Sequence, residues 1–268
     1  AYEAATADLN DINMIDPFHL EAYGETTVNY NRDVEIFPVL NTIFEKIYGE
    51  SPYKSPTDMG VNMAGNCICD DEACREASKQ EIIRRYFDAL NALAKGSTSE
   101  KEAQKIELLM NMAGITVTDR KVVIKALERA KETDGPAAAL ELRDGRIITG
   151  KTTNLLGASA ALLLNVLKVL AGIDHETHII SPESIEPIQK LKVDYLKSKN
   201  PRLHTDEVLI ALSASAATNP QARLALSQLP ELAGCQAHTS VMLSDVDIKI
   251  FKKLEVQLTS EAVYEHAL

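Results

Sequence analysis

The sequence predicts an α+β / α/β protein in which a mostly helical N-terminal part is followed by a layered α/β domain. Three observations carry this expectation. Apolar residues recur at helical spacing through most of residues 33–133. Asp144-Gly145 stands between two short runs with strand character, a strong hairpin signal. Beyond Gly135-Pro136, short strand patterns alternate with helical ones, as in a sheet with helices laid on it. The division falls near Gly135, giving a helical domain with polar loops over 1–135 and a layered domain over 136–268.

In order along the chain, residues 2–9 are good helix formers. Asp16-Pro17 breaks the pattern, because the residue before proline avoids the helical region. Asn29-Tyr30-Asn31-Arg32 reads as polar, extended and turn-prone. Residues 33–48 carry apolar side chains at 36, 37, 40, 43, 44 and 47 and stop at Gly49, with Pro38 in the first turns of that helix. Ser51-Pro52 and Ser55-Pro56 mark residues 51–66 as loop. A long helix over 70–94 opens on Asp70, Asp71 and Glu72, which suit the positive end of the helix dipole. Lys79, Arg84 and Arg85 are assigned to its solvated face. Helices over 100–113 and 119–133 follow, the second capped by Thr118 or Asp119. The hairpin strands are 138–142 and 146–149. Further strands are expected at 178–180, 239–243 and 256–259. Helices are expected at 158–171, 182–196, 206–218, 220–229 and 245–254, with Thr205 as a cap.

Composition narrows the function classes. The 268 residues are 45% hydrophobic, enough to bury a core without disulfide or metal support. Lys and Arg number 28 against 39 Asp and Glu, a net charge of -11, and such a field repels a nucleic-acid backbone. A small cationic pocket for a phosphate is still compatible with that balance. No run of about 18 apolar residues is present, so no membrane partner is expected. The most apolar run, Ala158 to Ala171, includes Ser159, Asn165 and Lys168. Cys67, Cys69 and Cys74 are crowded, with Cys235 far away, which fits free thiols in a reducing, cytoplasmic compartment. The opening Ala1 has two readings, a start left by methionine removal or an internal position.

Several motifs are near misses. Cys67-Ile-Cys69 and Cys74 lack the second ligand pair of a structural zinc site. His175-Glu-Thr-His178 is one residue short of the zinc-protease pattern. Residues 145–152, Gly-Arg-Ile-Ile-Thr-Gly-Lys-Thr, formally match a phosphate loop, yet the intervening residues read as a strand. Lys151 and Thr152 keep the capacity to contact an anion. The polar loops offer better candidates. Asp16 and His19 are the catalytic candidates, His19 as a proton carrier or ligand. Asn29, Asn31, Arg32, Asp58, Asn62, Arg202 and His204 are the candidates for substrate or anion binding, Arg32 as a clamp. Turn and cap chemistry explains the same residue types equally well. No metal ligand set is assigned.

The stretches Ala1–Leu9, Asn13–Leu20, Tyr23–Asp33, Ser55–Met63, Glu76–Tyr86 and Asn200–His204 together resemble the bacterial family called domain of unknown function 1846. The resemblance implies members about twice as long, with a phosphate loop in an N-terminal half. This chain is then a C-terminal portion whose Ala1 is internal and whose missing N-terminal segment is a partner. It also implies a C-terminal architecture like that of the cytidine deaminases. The deaminase zinc motif is absent here, so the shape would come without that chemistry. On this reading the chain holds no cofactor itself, while the whole protein is a nucleotide-dependent enzyme using ATP and Mg. The layered domain then serves as a self-associating scaffold in a homo-oligomer. The alternative is a non-catalytic oligomeric binding or structural protein.

Overall fold

The computed structural model of the chain describes residues 30–51 and 71–265. Contacts divide the chain into two compact units, Ala1–Arg120 and Lys121–Leu268. The division precedes the expected boundary near Gly135, because the helix over 121–133 packs on the sheet of the second unit.

The described part of the first unit is helical. Helix α1 is Tyr30–Tyr48. Asn31 and Arg32 therefore lie in its first turn, not on extended backbone. Polar residues are tolerated there because the first N–H groups of a helix have no internal partner. Pro38 sits well inside α1 and deletes one helical hydrogen bond. Helix α2 is Asp71–Ala94 and packs on α3, Glu100–Ala113, through buried Ile82, Ile83, Phe87, Leu109 and Met110. Gly114 ends α3 at φ 65°, a conformation that favours glycine. Arg84 does not face solvent as expected. It is buried, its Nη2 lying 2.7 Å from Glu81, while Arg85 Nε reaches the same carboxylate at 2.9 Å. Two guanidinium groups neutralise a carboxylate that would be costly to bury alone. The cap expected at Thr118 or Asp119 belongs to a 3₁₀ turn, Val117–Asp119, where Thr116 N donates to Asp119 Oδ2 at 2.7 Å.

The second unit opens with helix α4, Lys121–Thr133, and the hairpin strands β1, Ala137–Glu141, and β2, Ile147–Lys151. Asp144 and Gly145 make the turn. Gly145 has φ 83°, and Asp144 Oδ1 accepts from Arg146 N at 3.0 Å. Helix α5, Ala158–Leu170, follows. Helix α6, Pro182–Lys190, widens into a π-turn over Leu191–Tyr195. Then come α7, Thr205–Ser215; α8, Pro220–Leu226; strand β3, Gln236–Thr239; helix α9, Asp245–Lys253; and strand β4, Gln257–Ser260.

The four strands form one mixed sheet in the order β2-β1-β3-β4. β1 is antiparallel to β2 and β3, while β3 and β4 run parallel. The expected strand at 178–180 is irregular backbone. Its apolar Ile179 and Ile180 are buried against the core, which explains a strand-like pattern without a ladder. The third strand begins at Gln236, before the expected 239–243.

Three layers result. On one sheet face, Val122 and Ala126 of α4 meet Ala139. On the other, Ala138, Leu140 and Ala237 meet α5, with α7, α8 and Phe251 of α9 completing the main core. The small residues Ala137, Ala138 and Ala139 let helices approach both faces of β1. The tightest approach is at Gly150, where an added Cβ would lie 2.2 Å from Leu162 N. This explains the glycine in the false phosphate loop. It is a packing contact of β2 with α5, and its strand continues through Lys151.

Candidate functional site

A cleft of about 570 Å³ opens in the second unit between the end of β2, helix α5 and the segment 175–180. Its size suits one small ligand. The β2–α5 connection forms one wall. Thr153 Oγ1 accepts from Leu155 N and Leu156 N at 3.2 and 3.0 Å, a local turn that serine and threonine favour. Gln189 Nε2 donates to Asn154 O and Pro201 O, both at 3.1 Å, and ties the wall to the segment before α7. Asn165 Nδ2 donates to Thr149 O at 2.9 Å and joins α5 to β2. The apolar part of the lining includes Leu155, Leu156, Leu164, Ile179, Ile180 and Ile185.

The charge of the lining is one-sided. Arg129 from α4, Lys151 from β2 and Lys168 from α5 line the cleft together with His175 and His178, and no Asp or Glu is among the described lining residues. In a chain of net charge -11 this is a local reversal of sign. Arg129 Nη1 lies 3.1 Å from Glu132 Oε2, and its Nε is buried without a hydrogen-bond partner. Lys151 is exposed. Lys168 is 8% exposed, and burial pushes its ammonium below the usual lysine range against the opposing pull of Glu176 and Asp174. Its Nζ donates to the carbonyls of His175 and Thr177, the latter at 3.1 Å. Among the described residues, no group of three or more His, Cys, Asp or Glu side chains is placed to hold a metal.

The expected site residues are scattered by comparison. Asp16, His19, Asn29, Asp58 and Asn62 lie outside the described residues, as do Cys67 and Cys69. Asn31 and Arg32 lie in α1. Arg202 and His204 are in the second unit but do not line the cleft. Arg202 Nη1 pairs with Glu265 Oε1 at 2.5 Å. His204 is the residue before α7, and its N donates to Glu207 Oε2 at 2.8 Å. Its Nδ1 is 3.0 Å from Asp247 Oδ2. Asp247 is 3% exposed and also accepts from Thr205 N, Thr205 Oγ1 and Ser244 Oγ at 2.9, 2.8 and 2.8 Å. Burial opposes its ionisation, yet the hydrogen bonds from His204, Thr205 and Ser244 win and hold its pKa at about 2. The same bond raises the His204 pKa. This polar cluster joins the start of α7 to α9. The expected cap role of Thr205 is corrected accordingly, since its hydroxyl is given to Asp247.

Sequence reasoning noted Lys151 but missed Arg129 and Lys168, which arrive from separate helices with no spacing motif. One signal was available. Lys168 is the only charged residue in the apolar run 158–171.

Comparison with known proteins adds the family. Residues 1–114 match the description "Domain of unknown function DUF1846, N-terminal", and residues 118–268 match "Domain of unknown function DUF1846, C-terminal". The chain belongs to the DUF1846 family. It matches models of both the N-terminal and the C-terminal part of that family. A UPF0371 protein of Corynebacterium urealyticum is 60% identical over 98% of this chain and 53% of its own length. One from Streptococcus thermophilus is 56% identical over 99% of this chain and 54% of its own length. One from Corynebacterium diphtheriae is 59% identical over 99% and 53%. The chain thus spans about half the length of these curated relatives. The two matched parts meet at residues 114–118, beside the division of the chain into units after Arg120. Among the described residues no helix is long and apolar enough to cross a membrane.

Proposed function

We propose that the second unit binds a small organic phosphate in the cleft between β2 and α5. One observation carries this reading: Arg129 and Lys151 bring positive charge to a cleft with no Asp or Glu among its described lining residues, in a chain whose net charge is strongly negative. Arg129 supplies a donor fork suited to phosphate oxygens, and Lys151 supplies a mobile point charge. Thr149, Thr153 and Asn154 add neutral polar groups, and the aliphatic wall suits the body of the ligand. A nucleotide, which the family resemblance implies for the whole protein and not for this chain, enters here as one member of the ligand set.

Calorimetric titration with inorganic phosphate, AMP and ATP tests the proposal. Saturable binding of at least one, weakened by Arg129→Ala and by Lys151→Ala, supports it. No binding of any, or binding indifferent to both changes, overturns it.

A second reading, self-association, rests on the π-turn after α6. Leu191, Val193, Tyr195 and Leu196 are exposed there, flanked by exposed Lys190, Lys197 and Lys199. A second acidic copy complements those charges. Light scattering of Tyr195→Ser/Leu196→Ser against the parent chain decides it. A parent that is monomeric at high concentration removes this reading.

A further inference from the structure

The second unit buries two lysines, and they are treated differently. Lys192 is 6% exposed and has a carboxylate partner, its Nζ 2.8 Å from Glu207 Oε2, plus the carbonyl of Arg202 at 2.6 Å. That is a neutralised, structural lysine. Lys168 is as deeply placed, yet no carboxylate among the described residues lies within ion-pair distance of it. Its acceptors are two backbone carbonyls, those of His175 and Thr177. Two acceptors match the two N–H groups of a neutral amine and leave its lone pair over. The side chain also lines the cleft, and it borders a smaller cavity beside it that is formed by Ile147, Ile148, Val169 and Ile173. Burial that keeps an amine out of water is one arrangement that makes a lysine nucleophilic at neutral pH, and here it outweighs the opposing pull of Glu176 and Asp174.

We propose that Lys168 is an imine-forming amine, and that the cleft takes a small organic phosphate bearing an aldehyde or ketone. This rests on the reading of the cleft as a phosphate site. Arg129 and Lys151 hold the phosphate, and Lys168 meets the carbonyl carbon. The Nζ lone pair forms the C–N bond, and the carbonyl oxygen takes up both amine protons and leaves as water. The product is a neutral imine, which one proton from solvent converts to the iminium. Nothing is oxidised or reduced in this step.

The test uses pyridoxal 5′-phosphate as probe, because it carries both groups. The whole chain is incubated with less than one equivalent, reduced with borohydride, which delivers hydride to the C=N bond, and mapped by peptide mass. The expected result is labelling concentrated on Lys168 at least tenfold over any other lysine, and suppressed by excess inorganic phosphate. Lys168→Met, which keeps the volume of the stem, is expected to lose that label while still binding inorganic phosphate. Lys192→Met, as a control for burial alone, is expected to keep it. Labelling spread evenly over exposed lysines, or unchanged in Lys168→Met, overturns the proposal. If phosphate binds with Arg129 and Lys151 dependence but Lys168 stays unlabelled, the imine fails and the phosphate site stands. If phosphate does not bind, the underlying reading has failed instead.

Discussion

Replacing Gly150 by alanine distinguishes a packing glycine from a phosphate-loop glycine. The added Cβ would sit 2.2 Å from Leu162 N, 2.5 Å from Leu162 Cα and 2.8 Å from Ala158 O. All three are backbone atoms of α5, so no side-chain rotation relieves the clash. Restoring ordinary contact at 3.4 Å requires α5 to withdraw from β2 by about 1.2 Å, in an interior that tolerates few voids. That movement disturbs Leu162, Leu163, Val166 and Leu167, all essentially buried. Overpacking of this kind costs about 1–3 kcal/mol, and a backbone obstacle puts Gly150→Ala near the upper figure. For a unit of this size, each 1 kcal/mol lowers the melting temperature by about 2–4 °C, so a fall of about 6–12 °C is expected. Thermal unfolding by circular dichroism measures it. Gly145→Ala is the companion, since Gly145 has φ 83° and open space around it, and is expected to cost about 1 kcal/mol from strain alone. An alanine at 150 that leaves the melting temperature unchanged while abolishing phosphate binding would refute the packing argument.

Three further outcomes are expected. Asp247→Asn loses the charged partner of His204 and costs about 2 kcal/mol, read from the urea midpoint at pH 6. The parent chain carries its own pH signature at this cluster. The depressed Asp247 contributes stability above its unfolded pKa of 3.8 that is lost as pH falls toward about 2. The raised His204 contributes stability below its unfolded 6.5 that is lost as pH rises through its folded value. Stability from the pair is therefore greatest between about pH 4 and 6.5, and the decline above that window should vanish in Asp247→Asn. Cys235 is buried with its thiol pKa raised by burial, so iodoacetamide should label it only after denaturation, as peptide mapping would show.

The helices and the hairpin were legible because each rests on local chemistry. Glu100–Ala113 is bounded by Gly114, and Asp144-Gly145 forces the turn it predicts. Residues 178–180 misled because buried isoleucines look alike in a strand and in a packed loop. The start of α1 was missed because Asn31 and Arg32 are unremarkable in a first turn, where side chains need not supply helix propensity. Arg84 was assigned to solvent because a charge pattern does not reveal that Glu81 pairs with it inside the fold. The cleft was the least legible feature. Arg129, Lys151 and Lys168 come from α4, β2 and α5, and only the three-layer packing brings them to one opening. The formal phosphate-loop match included Lys151 for a reason unrelated to the motif, namely that the β2 strand carries it past the Gly150 contact.

The most direct test of the phosphate site is calorimetric titration of inorganic phosphate into the parent chain and into Arg129→Ala/Lys151→Ala, at low salt and matched melting temperature. Inorganic phosphate is the group that every ligand in the proposed class shares. Saturable binding by the parent, weakened about tenfold by each single change and about a hundredfold by both, is the result expected from two charge-assisted contacts. A parent chain with no saturable binding, or a double variant that binds as tightly as the parent, would contradict the account.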